Sequence, residues 1–161
     1  MLLWFIGTSV VAVALIFRSP VIDYRLIALG SVLPLLEVLL GRPMLLHTLV
    51  LPVLLLVLVM VVASGHRLRQ RRWLGVPIGM LFHLVFDRTW TDTRLFWWPA
   101  AGLSFADRSL PEFGGGWWAV AVFELLGAGL LVWFVRRFDL RRPDRRVVFL
   151  RSGHLGRDLL S

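Results

Sequence analysis

Five ionisable side chains stand inside otherwise apolar stretches of the sequence. They are two histidines and three carboxylates: Glu37, His47, His83, Asp87 and Glu124. An ionisable group in a membrane-like segment is energetically expensive, so each is a candidate functional residue by default. Imidazole and carboxylate groups are ligands that Zn²⁺ and Mn²⁺ take in proteins. A divalent metal site is therefore the first chemistry that these residues predict.

The spacing of His83 and Asp87 is the most informative local pattern. They are four residues apart, so a helix places both side chains on one face. Taken alone, the pair predicts a metal site or an interhelical hydrogen bond equally well. Glu37 also has an alternative interpretation, an ion pair with Arg42, and His47 one as an interfacial residue. Glu124 alone fits a structural and a functional role equally.

The composition indicates which class of protein must position these groups. Of 161 residues 58% are hydrophobic, and the formal charge of +8 comes from 18 basic residues, all arginines, against 10 acidic ones. The arginines stand beside apolar runs, which is typical of membrane topology rather than of nucleic-acid binding. The chain has no cysteine, so thiolate ligands and thiol nucleophiles are excluded.

We expect an all-α fold, a polytopic membrane bundle of about five hydrophobic helices within residues 1–135. Pro34 and Pro52 fall inside predicted helices and should kink them. An external loop at 88–116, rich in tryptophan, should lie on the outer surface, and 136–161 should form a basic cytoplasmic tail. The predicted helices are 2–17, 26–41, 44–63, 74–87 and 117–135; of these, 26–41 and 74–87 are short for a full span.

Arginine distribution predicts the orientation of the bundle. The loop containing 67–72, the turn at 18–25 and the tail together hold fourteen of the 18 arginines, and all three fall on one side if five segments cross. Arginine-rich loops stay in the cytoplasm, so the amino terminus should face outward and the carboxy terminus inward. This predicts a multi-pass protein of the bacterial inner membrane.

This orientation also places the chemical groups. Glu37, His47, His83 and Asp87 all fall near the outer ends of their helices, so they can share one Zn²⁺ or Mn²⁺ ion. Glu124 lies about two turns below the outer end of its helix and is a candidate general base. Three other ionisable residues are set apart from this site. Asp23 lies at the cytoplasmic end, where it should cap a helix or pair with Arg18 or Arg25, and His66 and His154 should be solvated surface residues.

Four stretches resemble one known pattern. They are GSVLPLLE at 30–37, LHT at 46–48, GMLFHLVFD at 79–87 and LFWWP at 95–99. Their order is similar to that of the YdjM-like family, inner-membrane proteins regarded as metal-dependent hydrolases, with the pattern Gly-x-Leu-x-Pro-Asp-x-Asp, Thr-His-Ser, Gly-x-x-x-His-x-x-x-Asp and Leu-Leu-x-Pro. Leu35 and Glu37 stand where the family has aspartates. The amino-terminal histidine of family members is missing, since no histidine precedes His47. The resemblance implies a shared fold and a shared metal site.

Two functions follow as expectations. The first is a membrane-embedded, metal-dependent hydrolase that acts near the outer leaflet on a lipid-linked ester or phosphoester, with the 88–116 loop gating access. The second is a non-enzymatic membrane scaffold or accessory subunit with a degenerate metal site, which Leu35 and the missing histidine favour. Membrane lipids are the expected partners, with a membrane protein as a further candidate through the basic tail. A transporter is the least attractive alternative, because no internal repeat is evident.

Overall fold

The computed structural model describes residues 1–40, 45–103, 116–156 and 158. Within these residues the chain is helical, with eight α-helices, three 3₁₀ segments and no β-strand. The 3₁₀ segments are Leu33–Leu40, Leu45–His47 and Thr89–Thr91. The α-helices are α1 (Leu2–Phe17), α2 (Tyr24–Val32), α3 (Val50–Val62), α4 (Arg67–Trp73), α5 (Gly75–Phe86), α6 (Thr93–Phe96), α7 (Gly116–Arg137) and α8 (Pro143–Ser152). The prediction of an all-α fold is confirmed.

The two prolines act differently from each other. At Pro34 the chain changes from the α-helix α2 to the 3₁₀ segment Leu33–Leu40, because proline has no N–H to donate and its ring crowds the preceding turn. The prediction of a kink at Pro52 was wrong. Helix α3 begins only at Val50, and proline in a first turn interrupts no hydrogen bond, since the first amides of a helix have no intrahelical partner.

Helices α2 and α5 cross at backbone contact, and glycines make this possible. A Cβ atom added at Gly30 would overlap the Val76 carbonyl oxygen, and one added at Gly79 would overlap the Ile27 carbonyl oxygen. Small residues at such crossings are typical of helix pairs in membrane proteins. The crossing brings the carboxyl-terminal turns of α2 beside the middle of α5.

Helices α1 and α7 meet in the same way. A Cβ at Gly127 would overlap the backbone of Leu3, and one at Gly7 would lie 2.7 Å from the Gly127 carbonyl oxygen. Helix α1 also packs on α2 and α5, so it lies at the centre of the bundle. The buried core is formed by Val10, Val11, Val13, Ala14, Tyr24, Ile27, Phe134, Phe138, Leu140 and Leu155.

The basic tail is packed on the bundle. The Tyr24 amide donates to the Gly153 carbonyl oxygen at 3.0 Å, and Arg25 donates to the Leu150 carbonyl oxygen at 2.6 Å. Gly153 ends α8 with a φ of 72°, and its missing Cβ leaves room for the Asp23 carboxylate. The tail from α8 to Leu155 thus folds against the start of α2 and is more than a solvated extension.

Length and composition support one membrane span among the described helices. Helix α7, with 22 residues, is long and apolar enough to cross a bilayer, whereas α1 and α3 are apolar but have 16 and 13 residues. A straight span needs about 20 residues. The expectation of about five hydrophobic helices is therefore met only in part. Residues 104–115 of the predicted external loop, with Arg42 and Arg157, lie outside the described residues.

Candidate metal centre

Three of the predicted ligands converge at one end of the bundle. His47, His83 and Asp87 each offer one ligand atom, and these atoms all lie within 4.8 Å of one another. All three residues are buried, with both histidines 0% exposed. They come from separate parts of the chain, the 3₁₀ segment Leu45–His47 and the end of α5. The fold therefore brings together the groups that the sequence singled out.

Helix α5 positions two of the three ligands. His83 lies in its last turn and Asp87 is its C-cap residue, with the Asp87 amide donating to the His83 carbonyl oxygen at 2.9 Å. Gly79 is on the same helical face, where it admits the backbone of α2. This approach lets the Nδ1–H of His83 donate to the Ser31 carbonyl oxygen at 2.7 Å. A carbonyl oxygen only accepts, so Nδ1 carries the proton of this hydrogen bond and Nε2 is the nitrogen that faces the cluster.

Glu37 contacts His47 at the ring nitrogen that faces away from the cluster. Its Oε2 lies 2.7 Å from Nδ1 of His47, and its Oε1 accepts a hydrogen bond from the Leu46 amide at 2.7 Å. The carboxylate therefore fixes both the ring of His47 and the backbone next to it. The Nε2 atom of His47 is left facing Asp87. A carboxylate on the outer nitrogen of a metal-binding histidine is a recurrent arrangement, which orients the ring and raises its basicity.

Asp87 divides its two oxygens between support and the cluster. Its Oδ1 accepts a hydrogen bond from the Thr89 amide at 2.6 Å and a short one from the Thr89 hydroxyl. Its Oδ2 lies 3.6 Å from Nε2 of His47 and 3.6 Å from Nε2 of His83. Phe5 covers one side of the cluster, its ring centroid 3.9 Å from that of His83.

These distances can be compared with those of a metal site and of a hydrogen-bonded pair. A separation of 3.6 Å is too long for a hydrogen bond between a ring nitrogen and a carboxylate oxygen. Two ligand atoms bound to one tetrahedral Zn²⁺ at about 2.0–2.2 Å stand about 3.3–3.6 Å apart. The spacing of Asp87 from both rings is therefore compatible with ligands around a shared ion and is longer than a direct hydrogen bond.

The charge of the site also favours a bound cation. Glu37 and Asp87 are 3% and 7% exposed, so two carboxylates are removed from water beside two histidines. A buried carboxylate is costly unless it is paired or bound to a metal. A divalent cation would balance both negative charges at once. The donor set of two imidazoles and one carboxylate, with one position left for water, is typical of catalytic zinc sites.

The structure gives two predicted site residues different contacts from those expected. Glu37 contacts Nδ1 of His47, the nitrogen that faces away from Asp87, so its carboxylate is placed to orient the His47 ring and lies outside the group of His47, His83 and Asp87. Glu124 accepts hydrogen bonds from the first amides of α1: a short one from Leu2 and one of 2.8 Å from Leu3. A carboxylate there is stabilised by the unpaired amides and the helix dipole. The catalytic role of Glu124 stays a prediction.

Ser31, Thr89 and Phe5 complete the site and were missed by sequence reasoning. Thr89 had a signal, because aspartate two residues before a threonine is typical of a turn in which the carboxylate accepts the amide. Ser31 acts through its backbone carbonyl, which no side-chain pattern reveals. Of the groups assigned elsewhere, Asp23 caps α2 and pairs with Arg25 as expected, and also with Arg72.

No family model matches the chain, and neither a curated protein nor a solved structure matches it. The resemblance to the YdjM-like family therefore rests on the four stretches of sequence alone. The geometry adds one relevant point about these stretches. Three of them supply the cluster and its support: 30–37 with Ser31 and Glu37, 46–48 with His47, and 79–87 with His83 and Asp87.

Proposed function

We propose that this chain is a membrane-embedded, metal-dependent hydrolase of the YdjM-like type. The observation that carries the proposal is the convergence of His47, His83 and Asp87, with 3.6 Å from Asp87 Oδ2 to each Nε2 atom. A Zn²⁺ or Mn²⁺ ion held there would supply Lewis-acid activation of water and of a substrate carbonyl or phosphoryl group. The substrate class that fits the location is a lipid-linked ester or phosphoester.

The residues of the chain have distinct roles in this proposal. His47, His83 and Asp87 hold the ion, Glu37 and the Ser31 carbonyl hold the two rings in the correct tautomer, and Thr89 orients the Asp87 carboxylate. Phe5 excludes water from one side of the site, which strengthens every electrostatic interaction inside it. All of these supports are rigid backbone or buried side chains.

The proposal includes a multi-pass topology with the amino terminus outside and the carboxy terminus in the cytoplasm. Support comes from the outward apolar faces of α3 and α7: Leu54, Val61 and Val62 are 58%, 64% and 72% exposed, and Leu125 is 73% exposed. Apolar surface of this extent is costly in water and is suited to lipid. Helices shorter than a full span are accommodated by local thinning of the bilayer.

The experiment is a hydrolysis assay on the detergent-purified chain supplied with Zn²⁺ or Mn²⁺. Two acylated fluorogenic probes, a carboxyl ester and a phosphodiester, separate the two ester classes. We expect turnover of one probe that is lost in His83→Ala and kept in the matched control His66→Ala, because His66 is exposed at the start of α4. Equal turnover in both variants would exclude the cluster as the reaction centre.

The non-enzymatic scaffold is kept as a second candidate because of Glu124. Its carboxylate is engaged with the Leu2 and Leu3 amides, so the predicted general base is used in capping α1. A chain that binds metal stoichiometrically but hydrolyses neither probe would support the scaffold. In that case the metal joins the 3₁₀ segment Leu45–His47 to α5 and serves stability alone.

A further inference from the structure

A basic cavity lies at the opposite end of the bundle from the metal centre. Its volume is about 430 Å³, and it lies between α4 and the end of α8. The polar side chains that line it are those of Arg69, Arg72, Arg151, Ser152 and His154. Guanidinium groups present planar forks of N–H donors that match phosphate oxygens, so this lining suits a phosphate anion.

The positive charge of the cavity is only partly balanced. Arg72 lies 3.3 Å from the buried Asp23 carboxylate, which also binds Arg25 at 2.8 Å. Burial by itself would raise the pKa of Asp23, but the hydrogen bonds and charge of Arg25, with the charge of Arg72, bring its pKa below the ordinary value. Asp23 thus stays ionised and holds Arg72 at the cavity wall.

Two further arginines are available to a ligand. Among the described residues, neither Arg69 nor Arg151 forms an ion pair with a carboxylate. Both are exposed. The cavity therefore has a net positive charge, with two guanidinium groups whose engagement by an anion would break no ion pair among the described residues.

An apolar cavity adjoins the basic one and shares part of its wall. It has a volume of about 230 Å³ and is lined by Leu58, Val59, Val62, Ala63, Arg69 and Trp73. Arg69 and Trp73 belong to both cavities. A tryptophan between a basic and an apolar surface is typical of the headgroup layer of a membrane. The two cavities together match a molecule with an anionic phosphate at one end and a hydrocarbon chain at the other.

We propose that the paired cavities between α3, α4 and the end of α8 bind one anionic phospholipid. The phosphodiester contacts Arg69, Arg72 and Arg151, and an acyl chain lies along the apolar cavity beside the end of α3. This site is separate from the metal centre in sequence and in the fold, and it binds lipid without hydrolysing it. Basic pockets at the cytoplasmic ends of membrane helices recognise anionic headgroups by the same chemistry.

The test is native mass spectrometry of the detergent-purified full chain, titrated with phosphatidylglycerol, phosphatidylcholine or inorganic phosphate. The site variant is Arg69→Ala/Arg151→Ala. The matched control is Arg141→Ala/Arg146→Ala, which removes two exposed arginines of the tail that are not in the cavity wall. We expect phosphatidylglycerol affinity to fall by about tenfold or more in the site variant. In the control it should change by less than about twofold.

Three results would overturn the proposal. Equal weakening in the site and control variants would show that only general charge attracts the lipid. Equal binding of phosphatidylcholine and phosphatidylglycerol by the wild type would show that the arginines do not select the headgroup. Inorganic phosphate binding as tightly as the lipid would remove the acyl-chain assignment. The last two comparisons use wild-type protein, so they hold even if the site variant does not fold.

Discussion

The two histidines of the cluster are held by different kinds of acceptor. The ring of His83 is fixed by the backbone carbonyl of Ser31, and the ring of His47 by the Glu37 carboxylate. A backbone carbonyl cannot be removed by mutation, whereas the carboxylate can. Replacing Glu37 therefore tests whether orientation of the His47 ring contributes to metal affinity, while His47, His83 and Asp87 are left in place.

The substitution Glu37→Gln should weaken Zn²⁺ binding by about 10–100-fold, because loss of the carboxylate leaves the His47 ring less basic and less firmly oriented. Competition against a chromophoric zinc chelator at neutral pH measures this affinity. The matched control is Asp92→Asn, which also removes one negative charge but at the N-cap of α6. Unchanged affinity in Glu37→Gln would show that the carboxylate has no part in metal binding.

Sequence reasoning at this scale identified the residues of the cluster better than the groups that support them. His83 and Asp87 follow from a spacing of four on a helix, and His47 from its place near the outer end of its segment. The contact of Glu37 with Nδ1 of His47 could not be foreseen, because an apolar sequence does not indicate which histidine nitrogen a carboxylate faces. The contact of Glu124 with the first turn of α1 could not be foreseen either, because the packing of α7 on α1 is tertiary.

At the scale of helices, the proposed metal site depends on the close crossing of α2 and α5. Gly79 lies one turn before His83 on α5 and contacts the Ile27 carbonyl oxygen of α2. Ser31, whose carbonyl accepts the hydrogen bond from His83, lies one turn beyond Ile27 on α2. Helix separation and ring orientation are therefore coupled. A change that pushes α2 away from α5 moves the acceptor away from His83.

We expect Gly79→Ala to lower the free energy of unfolding by about 1–3 kcal/mol, because the new Cβ overlaps the Ile27 carbonyl oxygen. It should also weaken metal binding by separating Ser31 from His83. Thermal unfolding by circular dichroism and the chelator competition measure the two effects. Gly129→Ala is the matched control, since a Cβ at Gly129 meets no atom within 4 Å. Equal stability of the two variants would contradict the close crossing.

The docking of the tail allows an equally direct test. Gly153→Ala should free α8 from α2, because the added Cβ overlaps the Asp23 carboxylate, and trypsin should then cleave faster at the arginines of α8. Gly65→Ala is the control: Gly65 also has a positive φ, 81°, but its Cβ would meet nothing within 4 Å. The two variants share the backbone strain. A similar rate of cleavage in both would mean that the tail is not held at Gly153.

The apolar helices could be predicted from the sequence, whereas the arginine-rich helices could not. The expected helices 2–17, 74–87 and 117–135 agree with α1, α5 and α7 to within two residues. The second expected helix instead changes to a 3₁₀ segment at Pro34. The helices α4 and α8 were not predicted, because their arginine-rich sequences have no apolar stripe. For α8, contacts with α2 supply the stabilisation that periodicity does not show.

At the scale of the whole molecule, the two proposed sites lie at opposite ends of one bundle. The metal centre is at the end of α5, and the basic cavity is at α4, before α5 begins. If the bundle crosses the membrane as proposed, one site faces the outer leaflet and the other the inner leaflet. Sequence alone supplied this orientation through arginine bias, whereas helix lengths in the fold support one span, α7.

The orientation is testable by labelling, because the natural chain has no cysteine. Single cysteines are introduced at two exposed positions, Thr93→Cys in α6 and Ser64→Cys after α3. In intact spheroplasts of a bacterial host, a membrane-impermeant thiol reagent should label Thr93→Cys at once. It should label Ser64→Cys only after the membrane is permeabilised. The reverse pattern would invert the topology, and labelling of both in intact spheroplasts would contradict an odd number of crossings between them.

The central claim is that His47, His83 and Asp87 hold one divalent ion. The most direct measurement is the metal content of the detergent-purified chain by elemental mass spectrometry, for wild type, His47→Ala/His83→Ala and a control, His66→Ala/His154→Ala. We expect near-stoichiometric zinc or manganese in wild type and control, and its loss in the cluster variant. Metal-free wild type, or equal metal in all three proteins, would exclude a metal site and leave the cluster as buried polar packing.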